Sequence, residues 1–130
     1  MDSKIPEGYL YSKQHEWVKE EGGLLVLGIS DYAQHALGDI VYVDLKAVGT
    51  KVSAGSSIGT IESVKAAEDV YTPVDGTVES VNPDIAKSPE SVNRDSHAAW
   101  LLKLKDYNAS ALSGLMKPAD YKAYLSTLDH

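Results

Sequence analysis

There is no cysteine among the 130 residues. Without it the chain has no disulfide framework, no thiolate zinc site and no cysteine nucleophile, so any redox sulfur it uses must come from a cofactor. Positive charge is scarce too: 12 Lys and Arg stand against 19 Asp and Glu, for a net charge of −7. Nucleic-acid binding is driven by cations that release counterions from phosphate, so this balance argues against it and favours partners with basic docking faces. The acids are spread along the chain, and a well-solvated surface accounts for most of them. No run approaches the roughly 18 apolar residues of a membrane span. Residues 1–10 show neither a charged-then-apolar signal pattern nor arginine enrichment. A soluble cytoplasmic protein with no membrane contact is expected, or the mature form of a chain that has lost a presequence.

What the sequence does contain is short β-leaning runs separated by glycine. A chain of this length fits one domain able to bury a core without staples. Tyr9–Tyr11 and His15–Lys19 read as strands before a turn at Gly22-Gly23, and Leu24–Ile29 pairs back as a buried strand. Ser30 or Asp31 caps a helix through Leu37, with Gln34 placed to complete a capping box and Gly38 ending it. Ile40–Leu45 alternates Val41, Val43 and Leu45 against Tyr42 and Asp44, the pattern of a half-buried strand. Short strands continue through Lys51-Val52, Ile58–Ile61 and Val74–Val78, a spacing that indicates a sandwich or flattened barrel. Asn82-Pro83-Asp84 starts a helical turn, and Ser88-Pro89 supplies cap and first-turn residues for another through Val92. Trp100–Leu104 is the last strand. Asn108 then caps a helix carrying Leu112 and Leu115, and a final helix after Pro118 puts Tyr121, Leu125 and Leu128 on one face.

Lys65 is the residue around which the rest is organised. Thr60–Val64 and Val70–Val74 lean to strand, and Lys65-Ala66-Ala67 connects them, so the lysine stands at a hairpin tip and points to solvent. A catalytic lysine needs burial or a neighbouring cation. Its sequence neighbours offer neither, being the acids Glu62, Glu68 and Asp69. Lys65 therefore suits a substrate role, as the amine that a docking enzyme acylates, better than a nucleophile's. A plain solvated loop lysine in a β-rich interaction module is the competing reading.

Two apparent motifs fail on context. His15-Glu16 begins like a zinc protease signature, but no second histidine follows at helical spacing and the segment reads as a strand, so no metal site is expected. Gly55-Ser56-Ser57-Ile58-Gly59 has the spacing of a hydrolase nucleophile elbow, which requires a following helix and a large parallel sheet. A β-rich run follows instead, and the same glycines lack the Gly-Lys-Ser/Thr ending of a phosphate loop.

Three stretches carry a family resemblance. Glu62-Ser63-Val64-Lys65-Ala66, with acids after it and then Tyr71–Val78, resembles the lipoyl-lysine hairpin of the glycine cleavage system H protein family. His15-Glu16-Trp17-Val18 is similar to a second signature of that family. Gly28–Gln34 followed by Leu37–Val41 is similar to a third. Biotin carriers typically have methionine on both sides of the lysine, and lipoyl domains of 2-oxo acid dehydrogenases typically have Asp-Lys-Ala; here the neighbours are Val64 and Ala66.

The resemblance implies a mostly β, lipoyl/biotinyl-type flattened barrel or sandwich with short helices, the C-terminal ones closing one end. It implies one carrier domain over 1–130, with a core of about 9–105 and a helical segment of about 108–129. It implies no catalysis by the chain itself and lipoic acid attached covalently to Lys65. Its partners would be the glycine decarboxylase (P protein), the aminomethyltransferase (T protein), the dihydrolipoamide dehydrogenase (L protein), and a lipoate ligase or lipoyl/octanoyl transferase. Glu16 and Asp69 align with family positions lining the cleft where the arm docks. Some members carry a histidine there one position after His35, where this chain has Ala36; one residue is about 100° around a helix, so that role does not pass to His35, which reads as a surface residue. Arg94–Ala99 replaces a turn that usually contains glycine. A family paralogue that relays lipoyl groups, and a mitochondrial mature form rather than a bacterial cytoplasmic protein, are both compatible with these residues.

Overall fold

The computed structural model describes residues 3–128. Its strands are β1 (Leu10–Tyr11), β2 (Glu16–Glu21), β3 (Leu24–Ile29), β4 (Ile40–Leu45), β5 (Lys51–Val52), β6 (Ser57–Ser63), β7 (Ala67–Tyr71), β8 (Gly76–Val81) and β9 (Leu102–Lys105). Its helices are α1 (Asp31–Leu37), α2 (Pro83–Lys87), α3 (Ser91–Arg94) and α4 (Pro118–Leu128), with a 3-10 helix at Ala109–Gly114 before the last. The end expected for the helical segment, residue 129, lies outside the described residues.

The strands form two antiparallel sheets, one in the order β1-β2-β3-β9-β8-β5 and the other β4-β6-β7. The arrangement is the sandwich form of the expected fold; no ladder closes the two sheets into a barrel among the described residues. Leu25, Leu27, Val78, Leu102 and Leu104 from the first sheet meet Val43, Ile58, Ile61 and Val70 from the second in one apolar core. Strand β3 is apolar along its length because both its faces are covered. Leu25, Leu27 and Ile29 enter this core, while Val26 faces a second cluster with Tyr11, Trp17, Tyr121 and Leu125. That second cluster is how α4 is attached. Tyr121 stacks on Tyr11, with ring centroids 4.4 Å apart and planes within 1°.

Several local expectations change under tertiary contacts. The β4–β6 register shifts between Ile40 and Tyr42, so Val41, expected inside, is 55% exposed beside Tyr42. A bulge inserts one residue into the alternation and turns the next side chains over. The strand expected over Val70–Val74 ends at Tyr71. Thr72 turns the chain there, its Oγ1 donating to the Val74 carbonyl and accepting from the Val74 N–H. Ser88 closes α2 rather than capping α3, which begins at Ser91 without a side-chain cap. Leu128 is 41% exposed, since α4 has passed the edge of the cluster that buries Tyr121 and Leu125. Asn82 and Asn108 cap as expected. Gly55 and Ser57 lie in a turn and on β6, with no helix following them.

Candidate functional site

Strands β6 and β7 pair with Glu62 opposite Ala67, leaving Val64-Lys65-Ala66 as the connection. Ser63 shapes it. Its N–H donates to the Ala66 carbonyl at 2.8 Å, and its Oγ accepts from the N–H groups of Lys65 and Ala66 at 3.3 and 3.1 Å. The Val64 N–H donates to the Asp39 carbonyl, anchoring the tip to the start of β4. Lys65 is exposed, and among the described residues no ion pair holds its ammonium.

The lysine stem lies along Gly38, the residue that ends α1. A β-carbon at Gly38 would come within 3.2 Å of Lys65 Cε, and the backbone there has φ +81°, which favours glycine. Asn93, on α3, fixes this seat: its Nδ2 donates to the Gly38 carbonyl and to Gln34 Oε1, both at 2.9 Å, and its Oδ1 accepts from the Ile40 N–H at 2.8 Å. Helix α1 begins where Ser30 Oγ accepts from the Ala33 N–H. Ser30, not Asp31, is the cap, so the expected box does not form; Gln34 Nε2 instead donates to Asp31 Oδ1 at 2.8 Å, where a box would have the Gln34 oxygen accept from a backbone N–H.

Beside the hairpin lies a cavity of about 250 Å³, walled by α1, by β7 and by the start of β2. Glu16 and Asp69 both line it, 53 positions apart in the chain, together with Ala66 and Glu68 from the hairpin. The structure brings the two acids singled out in the sequence into one cavity, and Lys65 stands next to it in the chain through its neighbour Ala66, without lining it. Ala36 also lines the cavity, while His35 is exposed and sits 3.6 Å from Asp31 on the outer side of α1.

Glu16 is not the surface strand carboxylate that its sequence context suggests, being 3% exposed. Burial pushes its carboxyl up to about 7, against hydrogen bonds from the Ser12 hydroxyl and the Tyr71 backbone that favour the ionised form. Asp69 is exposed and accepts from Thr60 Oγ1 at 2.9 Å. The cavity thus offers one carboxyl poised near neutrality and two exposed acids, a set suited to a cationic group entering from the lysine side.

Sequence reasoning missed three contributors. In the sequence Glu68 reads as a neighbour of Lys65, His15 as part of a false metal motif and of a family signature, and Asn93 carries no signal; Glu68 and His15 line the same cavity. Nothing local in the sequence signals these contacts. The Arg94–Ala99 loop packs under β2: Trp17 Nε1 donates to the Ser96 carbonyl at 3.0 Å, and His97 stacks on the Trp17 indole at 5.8 Å. No group of three His, Asp or Glu side chains able to hold a metal occurs among the described residues, and no described helix is long and apolar enough to cross a membrane.

The fold and site together define a small β-sandwich protein that presents a lysine on a hairpin tip next to an acidic cavity. A family model described as glycine cleavage H-protein matches residues 9–128. The chain is 48% identical over 128 residues to the glycine cleavage system H protein of Leptospira biflexa serovar Patoc, covering 98% of both chains. It is 50% identical over 122 residues to that of Thermoanaerobacter pseudethanolicus, covering 94% of this chain and 97% of the relative. The crystal structure of a glycine cleavage system H protein from Mycobacterium marinum superposes with a TM-score of 0.85 at 32% identity, over 94% of this chain and 99% of that one. The chain belongs to the glycine cleavage H-protein family.

Proposed function

We propose that this chain is the non-catalytic lipoyl carrier of a cytoplasmic glycine cleavage system, folded as one domain, with lipoic acid in amide linkage to Lys65 Nζ. The observation that carries the reading is the exposed Lys65 tip, its stem bedded on Gly38, opening beside a cavity that holds a buried carboxyl. Bound there, lipoate would supply the sulfur chemistry that a cysteine-free chain lacks, a carrier sulfur between the glycine decarboxylase and the aminomethyltransferase, with dihydrolipoamide dehydrogenase as its oxidant.

The chain's own residues bind and shield. Lys65 tethers the group and so raises its local concentration at each partner. The cavity would shield the water-labile end of a loaded arm from solvent. Glu16 and Asp69 accept hydrogen bonds from that arm's amine, and a nearby cation draws Glu16 to its ionised form. A lipoate ligase or lipoyl/octanoyl transferase docks on the hairpin to acylate Lys65.

Intact mass of protein produced with and without lipoate tests this reading, together with the Lys65→Arg variant. Arginine keeps the charge and much of the stem but offers no acylable amine. The wild-type chain gains one lipoyl group, and the variant gains none and fails to support glycine cleavage with purified partners while its circular dichroism is unchanged. A variant that still supports glycine cleavage would remove Lys65 as the attachment site.

A further inference from the structure

His15 lines the cavity, and its backbone has φ +72°, a left-handed conformation unusual for a residue with a β-carbon. Three parts of the fold hold it there. Its N–H donates to the Ser12 carbonyl at 3.1 Å, its carbonyl accepts from the Ser30 N–H at 2.8 Å, and its Nδ1 lies 2.8 Å from Tyr121 Oη on α4. The imidazole is flanked by Tyr32 at 4.5 Å and Tyr124 at 6.0 Å between ring centroids.

The direction of the hydrogen bonds behind the ring follows from counting protons. Tyr121 Oη also lies 2.7 Å from Ser30 Oγ, and Ser30 Oγ accepts from the Ala33 N–H at 3.2 Å. Ser30 is fully buried, and its hydroxyl has Tyr121 as its one available acceptor among the described residues. Its hydrogen therefore goes to Tyr121 Oη. Tyr121 in turn donates to His15 Nδ1, which leaves the neutral imidazole with its proton on Nε2. The reverse arrangement would strand a buried hydroxyl hydrogen. No buried side-chain nitrogen or oxygen of the described residues lacks a partner, and Nδ1 carries the hydrogen bond of His15. Nε2, which has no partner among the described residues, is therefore not fully buried.

We infer that His15 is a binding residue of the cavity, a neutral Nε2–H donor to an uncharged acceptor atom of the docked arm, and that Tyr121 and Ser30 are positioning residues that fix its tautomer. This rests on the carrier reading of the preceding section. It complements the acids of the cavity: Glu16, Glu68 and Asp69 suit the cationic end of a loaded arm, and a neutral donor suits its carbonyl or sulfur without adding a competing positive charge. Burial lowers the imidazole's affinity for a second proton and so favours its neutral form. The C-terminal helix thereby becomes part of the arm's site through one hydroxyl.

Tyr121→Phe removes that hydroxyl and keeps the ring that stacks on Tyr11. Imidazole nitrogen NMR of the unlipoylated chains is the first readout: wild-type His15 shows a single Nε2–H tautomer, and the variant shows a mixture of tautomers with a displaced titration. The second is the lifetime of the aminomethyl-loaded form, prepared with glycine and the glycine decarboxylase on chains that intact mass shows to be fully lipoylated. The variant loses the group several-fold faster, and His15→Gln, whose side-chain amide can donate in place of Nε2–H, loses it more slowly than His15→Leu. An Nδ1–H tautomer in the wild-type chain overturns the proton assignment. Equal lifetimes in wild type, Tyr121→Phe and His15→Leu, with a loaded wild type, overturn this inference alone. A wild-type chain that takes up no lipoyl group overturns the carrier reading and this inference with it.

Discussion

Ser12 Oγ donates to Glu16 Oε1 at 2.6 Å and accepts from the Glu16 backbone N–H at 3.2 Å, so one hydroxyl serves both ends of a residue that is almost wholly buried. A neutral donor of this kind steadies the carboxylate without cancelling its charge. Burial remains the stronger influence, and the carboxyl is pushed up from 4.5 to about 7.

That imbalance makes stability depend on pH. Between pH 4.5 and 7 the folded chain keeps a proton on Glu16 that the unfolded chain has released, so this residue's contribution falls as pH rises through that window, by up to roughly 3 kcal/mol. His15 and His97, both lowered by burial, act oppositely, since their contribution is lost as pH falls below the ordinary histidine value of 6.5. Glu16→Gln isolates the carboxyl: relative to wild type, the variant gains stability when urea denaturation is moved from pH 5 to pH 8. A difference between the two proteins that is identical at both pH values would mean that Glu16 is not held protonated by the fold.

The same residue has a separate effect on the loaded arm. Glu16→Ala removes a carboxylate whose hydrogen bond to a cationic amine contributes roughly 1.5–3 kcal/mol. Compared on fully lipoylated protein, loss of the aminomethyl group is expected to speed up about tenfold or more, on conversion of that range at ~1.4 kcal/mol per decade. Equal decay curves would leave Glu16 with no protective role.

Exchange of Lys65 and Ala66 tests whether acylation depends on geometry. Position 66 lines the cavity, so a lysine there is directed into the cleft, and Ser63 still holds the turn through both backbone N–H groups. Acylation should largely stop. Glu68→Gln should have a milder effect that fades with salt, because an exposed carboxylate contributes mainly screened, long-range steering. Rates at low and moderate salt decide the matter: a shifted lysine acylated as fast as wild type, alongside an impaired Glu68 variant, would show that the enzyme reads charge instead.

Gly28 faces Trp17 across the β2–β3 ladder, and a β-carbon there would lie 2.5 Å from the indole ring. The indole is held on its other side by Tyr9, His97 and its bond to Ser96. Gly28→Ala is therefore expected to destabilise the chain by about 1–3 kcal/mol through overpacking. A loss below about 0.5 kcal/mol in urea denaturation, the size of an ordinary surface change, would show that the ring has room to move.

Much of this arrangement is legible in the sequence. Glycine-separated β runs give a sandwich, Ser30 and Gly38 delimit α1, and Lys65 between two strands is a hairpin tip, because each depends on a period or a turn within a few residues. The tertiary structure decided what depends on distant partners. Glu16 has the sequence context of an exposed strand acid, yet the α1 wall and β7 bury it and so set its proton affinity. Val41 alternates correctly but faces out because of a bulge fixed by pairing with β6. His15 resembles a broken metal motif until Tyr121, 106 residues away, places it in the cavity. Local pattern sets which backbone shapes are cheap, whereas burial and hydrogen-bond direction depend on whatever the rest of the chain packs against, and no short window of sequence contains that.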